Sequence, residues 1–187
     1  MLDRFEVNPS PLEGLFGLTR KPLGDSRGYL ERVFCDEDLA DLLENRSIVQ
    51  VNRTFTARAG TVRGLHFQNV PSAEAKIVSC FQGAVFDVAV DLRADSPTFL
   101  HWYGEELNSE NRRMLFIPEG FAHGFQTLTK DVEMFYMHTA AYDALSEGGL
   151  NALDPRLGID WPDEITERSH RDQAHSNIED DFEGLKL

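Results

Sequence analysis

Arg63-Gly64-Leu65-His66-Phe67-Gln68 decides how this chain is read. The residues alternate as in a β-strand, so His66 and Gln68 point to one side and Leu65 and Phe67 to the other. One face is polar and titratable, and the cation Lys76 follows ten residues after the histidine. A second histidine lies in Pro118-Glu119-Gly120-Phe121-Ala122-His123-Gly124-Phe125, a turn leading into another aromatic-rich strand. Two histidine segments flanking one run of core strands outline a site inside a barrel.

Outward from that stretch, strands dominate. Gly14 to Thr19 and Tyr29 to Phe34 read as strands separated by the turn Gly24-Asp25-Ser26-Arg27-Gly28. A short helix is expected over Glu37 to Glu44, with Asp36 as N-cap and Leu39, Leu42 and Leu43 as its apolar stripe. Further strands are expected over 48–55, 62–68, 76–82, 84–92, 101–107, 114–117, 124–128 and 133–139. Within Ala84 to Leu92 the phenylalanine, valines and leucine alternate with Asp87, Ala89 and Asp91, giving one apolar and one partly charged face. Turn residues punctuate these runs at the short intervals of an all-β sandwich or barrel.

The 187 residues, 41% of them apolar, suit a single domain, 1–187, with one core. Cys35 and Cys80 are far apart and form no Cys-x-x-Cys pair, which argues against a disulfide framework and for a reducing compartment, the cytoplasm by default. The N-terminus, Met1 to Glu6, is charged and has no signal-like apolar run. No segment approaches the roughly 18 to 20 apolar residues of a membrane span. A formal net charge of −14 repels nucleic acid and anionic membranes, so a polyphosphate ligand needs a local basic pocket. The run Glu179-Asp180-Asp181-Phe182-Glu183 reads as part of a solvated acidic tail over about 179–187.

A His66-x-Gln68 strand and a Pro118-x-Gly120-x-x-His123 turn in a small all-β chain resemble the cupin type of double-stranded β-helix, or jelly roll, with a few short peripheral helices. The metal-binding form asks for His-x-His, a glutamate shortly after and a third histidine. Gln68 takes the place of one histidine, and Glu74 lies beside Lys76 without clear ligand spacing. Two histidines alone do not close a shell of three or four ligands. No metal and no cofactor are therefore expected, which disfavours a metal-dependent oxygenase and leaves the histidines to proton chemistry.

The chain is similar over nearly its whole length to the dTDP-4-dehydrorhamnose 3,5-epimerase family. The similarity runs in order through Asp25-x-Arg27-Gly28, Gln50-x-Asn52, Arg63 to Gln68, Lys76, Asp87 to Arg93, Ser96 to Phe99, Ile117 to Phe125, Tyr136, Glu147, Asp154-Pro155, Trp161-Pro162 and Ser169-x-Arg171-Asp172. The resemblance implies an isomerase acting on a nucleotide-linked 4-keto-6-deoxyhexose, in the synthesis of cell-surface polysaccharide precursors. Inverting a carbon beside a ketone requires a base, a donor for the enolate oxygen and an acid on the opposite face. His66 is the candidate base, since an unperturbed imidazole exchanges protons near pH 6.5. The resemblance pairs it with Asp172, gives Lys76 the enolate oxygen and makes Tyr136 the acid. It further implies that Arg27 and Arg63 meet the diphosphate through bidentate charged hydrogen bonds. Gln50, Asn52, His123, Glu147 and Arg171 match positions that contact nucleotide or sugar. A homodimer with an exchanged N-terminal strand is implied, so the partner subunit supplies some contacts.

Taken singly, these residues have plainer readings. His123 suits structural anchoring, Lys76 a surface position, Tyr136 the core and Asp172 a helix cap. The chain also departs from the family's pattern: by spacing, Arg32 stands where a glutamate is usual, Glu74 where glutamine is common, Met137 where a lysine follows the tyrosine, and Ala152-Leu153 before Asp154-Pro155. Arg32 in the site would reverse a charge and alter ligand recognition. A single-centre epimerase, a 3,4-ketoisomerase and a non-catalytic sugar-nucleotide-binding protein remain as alternatives.

Overall fold

The computed structural model describes residues 4–187; Met1 to Asp3, which open the charged N-terminal stretch, lie outside them. The strands are β1 (Phe5–Pro9), β2 (Phe16–Arg20), β3 (Leu23–Asp25), β4 (Gly28–Leu30), β5 (Gln50–Thr56), β6 (Val62–Gln68), β7 (Lys76–Gln82), β8 (Ala84–Asp91), β9 (Trp102–Asn108), β10 (Arg113–Ile117), β11 (Phe121–Thr127), β12 (Val132–His138) and β13 (Glu147–Gly149). Two short helices, α1 (Ala40–Leu43) and α2 (His170–Ala174), lie at the periphery. One sheet runs β1-β2-β10-β7-β12-β5 and the other β13-β6-β11-β8-β9, while β3 and β4 form a separate hairpin. The result is the expected all-β jelly roll of cupin type.

Period-two alternation places each strand's residues in one of three apolar layers. Val78, Cys80, Val85, Ala89, Leu115, Phe125 and Met134 meet between the sheets. On the outer side of the six-stranded sheet, Ile77, Met114, Phe116 and Met137 are covered by Leu39 and Leu43 of the α1 region. Burying each leucine contributes roughly 1.5–3 kcal/mol, enough to hold a helix too short to persist alone. The outer side of the five-stranded sheet presents Val88, Val90 and Leu92, covered by Leu150, Ala152, Leu157 and Ile178. Both sheets are therefore covered on both faces over their central strands, and Asp87 turns inward as the alternation in β8 requires.

At the centre, β6 and β11 approach unusually closely. A Cβ on Gly64 would sit 2.6 Å from the Gly124 Cα and 2.9 Å from the His123 carbonyl oxygen, and Gly64 has φ +126°, which L side chains rarely adopt. The register shifts between His123 and Phe125, and it sets His123 directly opposite His66.

Several expectations need correction. The expected strand Tyr29 to Phe34 is strand only at Tyr29 and Leu30, and the expected turn Gly24 to Gly28 forms the inner part of the β3–β4 hairpin. The helix starts later than expected, with Leu39 rather than Asp36 at its N-cap and no side-chain cap bond. β1, β13 and α2 were not expected. The acidic side chains of Glu179, Asp180, Asp181 and Glu183 are exposed, but the tail is docked. Leu185 exchanges backbone hydrogen bonds with Leu92 and Ala94, and Phe182 packs near Phe99.

Candidate active site

Inward-facing side chains of both sheets line a cavity of about 890 Å³. β6 contributes His66 and Gln68, and β11 contributes His123. Across from them, β5 contributes Gln50, Asn52, Thr54 and Thr56, while Lys76, Tyr136 and His138 come from β7 and β12. Glu147, Arg171 and Asp172 reach the same cavity from β13 and α2.

On the five-stranded sheet, His66 Nε2 lies 2.7 Å from Asp172 Oδ1. Asp172 is itself held in place: its backbone N–H donates to the Ser169 hydroxyl at the helix N-cap (3.0 Å), and its Oδ2 accepts from the Gly64 N–H (3.4 Å). Burial pushes the Asp172 carboxyl up, but the His66 hydrogen bond and charge, with the Gly64 N–H, bring it below the usual carboxylate range. With the Nε2 hydrogen donated to this carboxylate, Nδ1 carries the imidazole lone pair. The Arg171 guanidinium, 3.2 Å from His66 Nε2, is anchored by Glu147 at 2.9 and 3.2 Å, and Glu147 also accepts from the Tyr142 hydroxyl.

His123 faces the cavity but commits Nε2 to both oxygens of the buried Asp87, at 2.9 and 3.0 Å. Burial raises the Asp87 carboxyl despite the opposing influence of His123. Gln68 spends its amide on loops: it donates to the carbonyls of Ser72 and Ala141 and accepts from the Asp143 N–H.

On the opposite wall, the Tyr136 hydroxyl lies 3.5 Å from Thr54 Oγ1, and burial pushes its pKa well above the ordinary phenol value. Tyr136 is thus a protonated donor at neutral pH. Lys76 Nζ pairs with Glu74 Oε1 at 2.8 Å, and Glu74 Oε2 lies 2.9 Å from His138 Nδ1. Met137 points away into the outer core, which accounts for an apolar residue there. At the mouth, Arg63 donates to Thr56 Oγ1 (3.0 Å) and to the Phe55 carbonyl (3.3 Å), leaving the rest of its exposed guanidinium open to an anion.

The four expected catalytic side chains therefore share one cavity, together with Gln50, Asn52, Arg63, His123, Glu147 and Arg171. Arg27 does not join them: its side chain is 87% exposed on the β3–β4 hairpin and paired with Asp25. Arg32 is likewise outside the lining, bound to Asp38 at 2.7 Å, while Glu31 pairs with Arg20 and Arg112. Sequence reasoning missed His138, although it lies two residues beyond Tyr136 on the same strand face. It also missed His175, whose ring meets that of His66 edge to face with centroids 5.8 Å apart. Among the described residues, His66, Asp172 and His175 form the one group of three or more with metal-ligating atoms all within 4.8 Å of one another. The fixed cation of Arg171 beside His66 opposes a metal ion there.

Residues 9–180 match the family model described as dTDP-4-dehydrorhamnose 3,5-epimerase. The chain is 46% identical over 142 residues to the dTDP-4-dehydrorhamnose 3,5-epimerase of Sinorhizobium fredii, covering 76% of this chain and 73% of that one. It is 38% identical over 168 residues to the dTDP-4-dehydrorhamnose 3-epimerase of Streptomyces niveus, covering 89% and 81%. The crystal structure of the dTDP-6-deoxy-D-glucose-3,5-epimerase of Legionella pneumophila, in complex with dTDP-4-keto-L-rhamnose, superposes with a TM-score of 0.88 at 38% identity, covering 92% of each chain. This chain belongs to the dTDP-4-dehydrorhamnose 3,5-epimerase family.

Proposed function

We propose that the protein epimerises a dTDP-linked 4-keto-6-deoxyhexose at the carbons flanking the ketone. The observation that carries this reading is the placement of the His66–Asp172 pair on one cavity wall and the protonated Tyr136 on the other, with Lys76 on β7, the strand paired with that of Tyr136. His66 Nδ1 takes the proton α to the ketone, and the electron pair moves to the C4 oxygen. Lys76 neutralises the resulting enolate, whose stabilisation lowers the barrier most. The enolate collapses back to the ketone as Tyr136 gives its proton to the opposite face of the carbon; the phenolate then regains a proton from solvent and the His66 imidazolium releases its own there. Arg63 at the mouth suits the diphosphate through charge-assisted hydrogen bonds.

A homodimer with exchanged N-terminal hairpins accounts for Arg27. Every residue of β3 and β4 is exposed, Leu23, Tyr29 and Leu30 among them, and edge strand β5 turns Val51 and Phe55 outward while Asn52 and Thr54 face the cavity. No helix among the described residues is long and apolar enough to cross a membrane. We place the enzyme in the cytoplasm, where free thiols such as Cys35 and Cys80 persist.

The test is incubation with dTDP-4-keto-6-deoxyglucose in deuterated water, followed by NMR. Deuterium at C3 and C5 with inversion supports this reading; none at either carbon overturns it. Exchange at C3 alone favours a single-centre enzyme, the reading raised by the name of the Streptomyces niveus relative.

A further inference from the structure

The geometry points to Glu74 and His138 as positioning residues that hold Lys76 for the enolate oxygen. This inference rests on the proposed epimerase reading and adds two residues to it. His138 and Lys76 are direct cross-strand partners on β12 and β7, so their side chains project side by side into the cavity. Glu74 bridges them, with one carboxylate oxygen 2.8 Å from Lys76 Nζ and the other 2.9 Å from His138 Nδ1. All three side chains are largely sealed from solvent, with exposures of 7% for Lys76, 8% for Glu74 and 11% for His138. A buried ammonium left without a partner is costly and sheds its proton. The carboxylate therefore sets the place of Lys76.

The hydrogen bonds run in one consistent direction. Glu74 accepts, so His138 Nδ1 must donate, which leaves the Nε2 lone pair facing the Asn52 amide nitrogen at 3.4 Å. The chain Asn52 to His138 to Glu74, with Lys76 closing it, spans β5, β12 and the start of β7. Its backbone is clamped nearby, because the Thr139 hydroxyl accepts from the Ala75 N–H at 2.9 Å and donates to the Ala75 carbonyl at 3.1 Å. The His138 ring also lies nearly parallel to that of Tyr136, 19° apart with centroids at 6.2 Å. Such a network loses more than one bond when a member is removed.

The experiment compares wild type, His138→Asn and His138→Ala in deuterium exchange, with kcat and KM separated. Asparagine places an amide N–H near the Nδ1 position and keeps the bond to Glu74; alanine does not. We expect His138→Ala to lower kcat about tenfold with KM within about twofold, and His138→Asn to recover most of that loss. A kcat loss under about threefold in His138→Ala, or no recovery in His138→Asn, overturns the proposal. Nitrogen-15 NMR of the histidines supplies a readout independent of turnover: His138 should be the Nδ1–H tautomer in the wild type and lose that preference in Glu74→Ala. An Nε2–H tautomer in the wild type overturns the relay even if activity is retained. A wild type that exchanges no deuterium while the Nδ1–H tautomer is present defeats the substrate reading and leaves the hydrogen-bond chain standing.

Discussion

Two histidines stand opposite each other on the β6–β11 ladder, each bonded to an aspartate, yet water reaches them differently. The His66 side chain is 29% exposed and that of its partner Asp172 is 3% exposed; the values for His123 and Asp87 are 7% and 0%. In the first pair the carboxyl is held below its usual range, and in the second burial holds it above. The same two residue types thus make a pair open to the cavity, to which we assign the proton transfer, and a sealed pair one strand away. Environment, not composition, assigns the roles.

The comparison sharpens most with the two aspartates. Asp172→Asn forces the wrong tautomer on His66 with little change of shape, and we expect kcat to fall roughly 10²- to 10⁴-fold. Asp87→Asn should leave kcat within about tenfold of the wild type, since His123 is not assigned a proton transfer. Steady-state rates that fall equally in both variants would break the distinction.

Stability should show the reverse order. His123→Ala leaves Asp87 buried without its partner, and denaturant unfolding should register a loss of about 3–5 kcal/mol. A loss below about 1 kcal/mol would mean that the buried pair braces nothing. Neither pair explains Arg27, which lies outside its own cavity. If the hairpin of a second subunit brings it to the diphosphate, Arg27→Ala raises KM about tenfold, as expected for a lost charged hydrogen bond, with kcat nearly unchanged. An unchanged KM would exclude that arrangement.

The smallest signal is in the pH dependence of stability. The depressed Asp172 pKa contributes stability that is present above the ordinary carboxylate value, about 3.9, and is lost as pH falls through the folded value. Asp87 has the opposite sign: its raised pKa favours the folded state at low pH and costs stability as pH rises above the ordinary value. Urea titrations across pH should therefore show Asp172→Asn losing less stability on acidification than the wild type, and Asp87→Asn losing less on going from acid toward neutrality.

Part of the site was legible from strand alternation: His66 and Gln68 share the polar face of β6, and the charged face of β8 that holds Asp87 was readable in the same way, though not that it turns inward. Lys76 and Tyr136 came through the family resemblance, because β7 and β12 carry apolar residues on both faces. Asp172 came only through the family resemblance; its proximity to His66 depends on a five-residue helix capped by Ser169. Arg27 lies outside its own cavity because it sits on a hairpin whose strand residues are all exposed, held to its own subunit at the Arg112 guanidinium over the Tyr29 ring. The C-terminal segment looked like solvent because acids surround Ile178 and Phe182, yet those two apolar residues help cover the five-stranded sheet. β13 was hidden because Glu147-Gly148-Gly149 carries no apolar alternation and pairs with β6 through backbone alone.

The central claim, that base and acid stand on opposite walls, is tested most directly by solvent deuterium uptake in two variants. His66→Asn should abolish uptake into dTDP-4-keto-6-deoxyglucose, because no base forms the enolate. Tyr136→Phe should keep measurable uptake without inverted product, because the enolate still forms and is reprotonated from the side it left. If His66→Asn exchanged at the wild-type rate while Tyr136→Phe lost exchange, the two assignments would be contradicted.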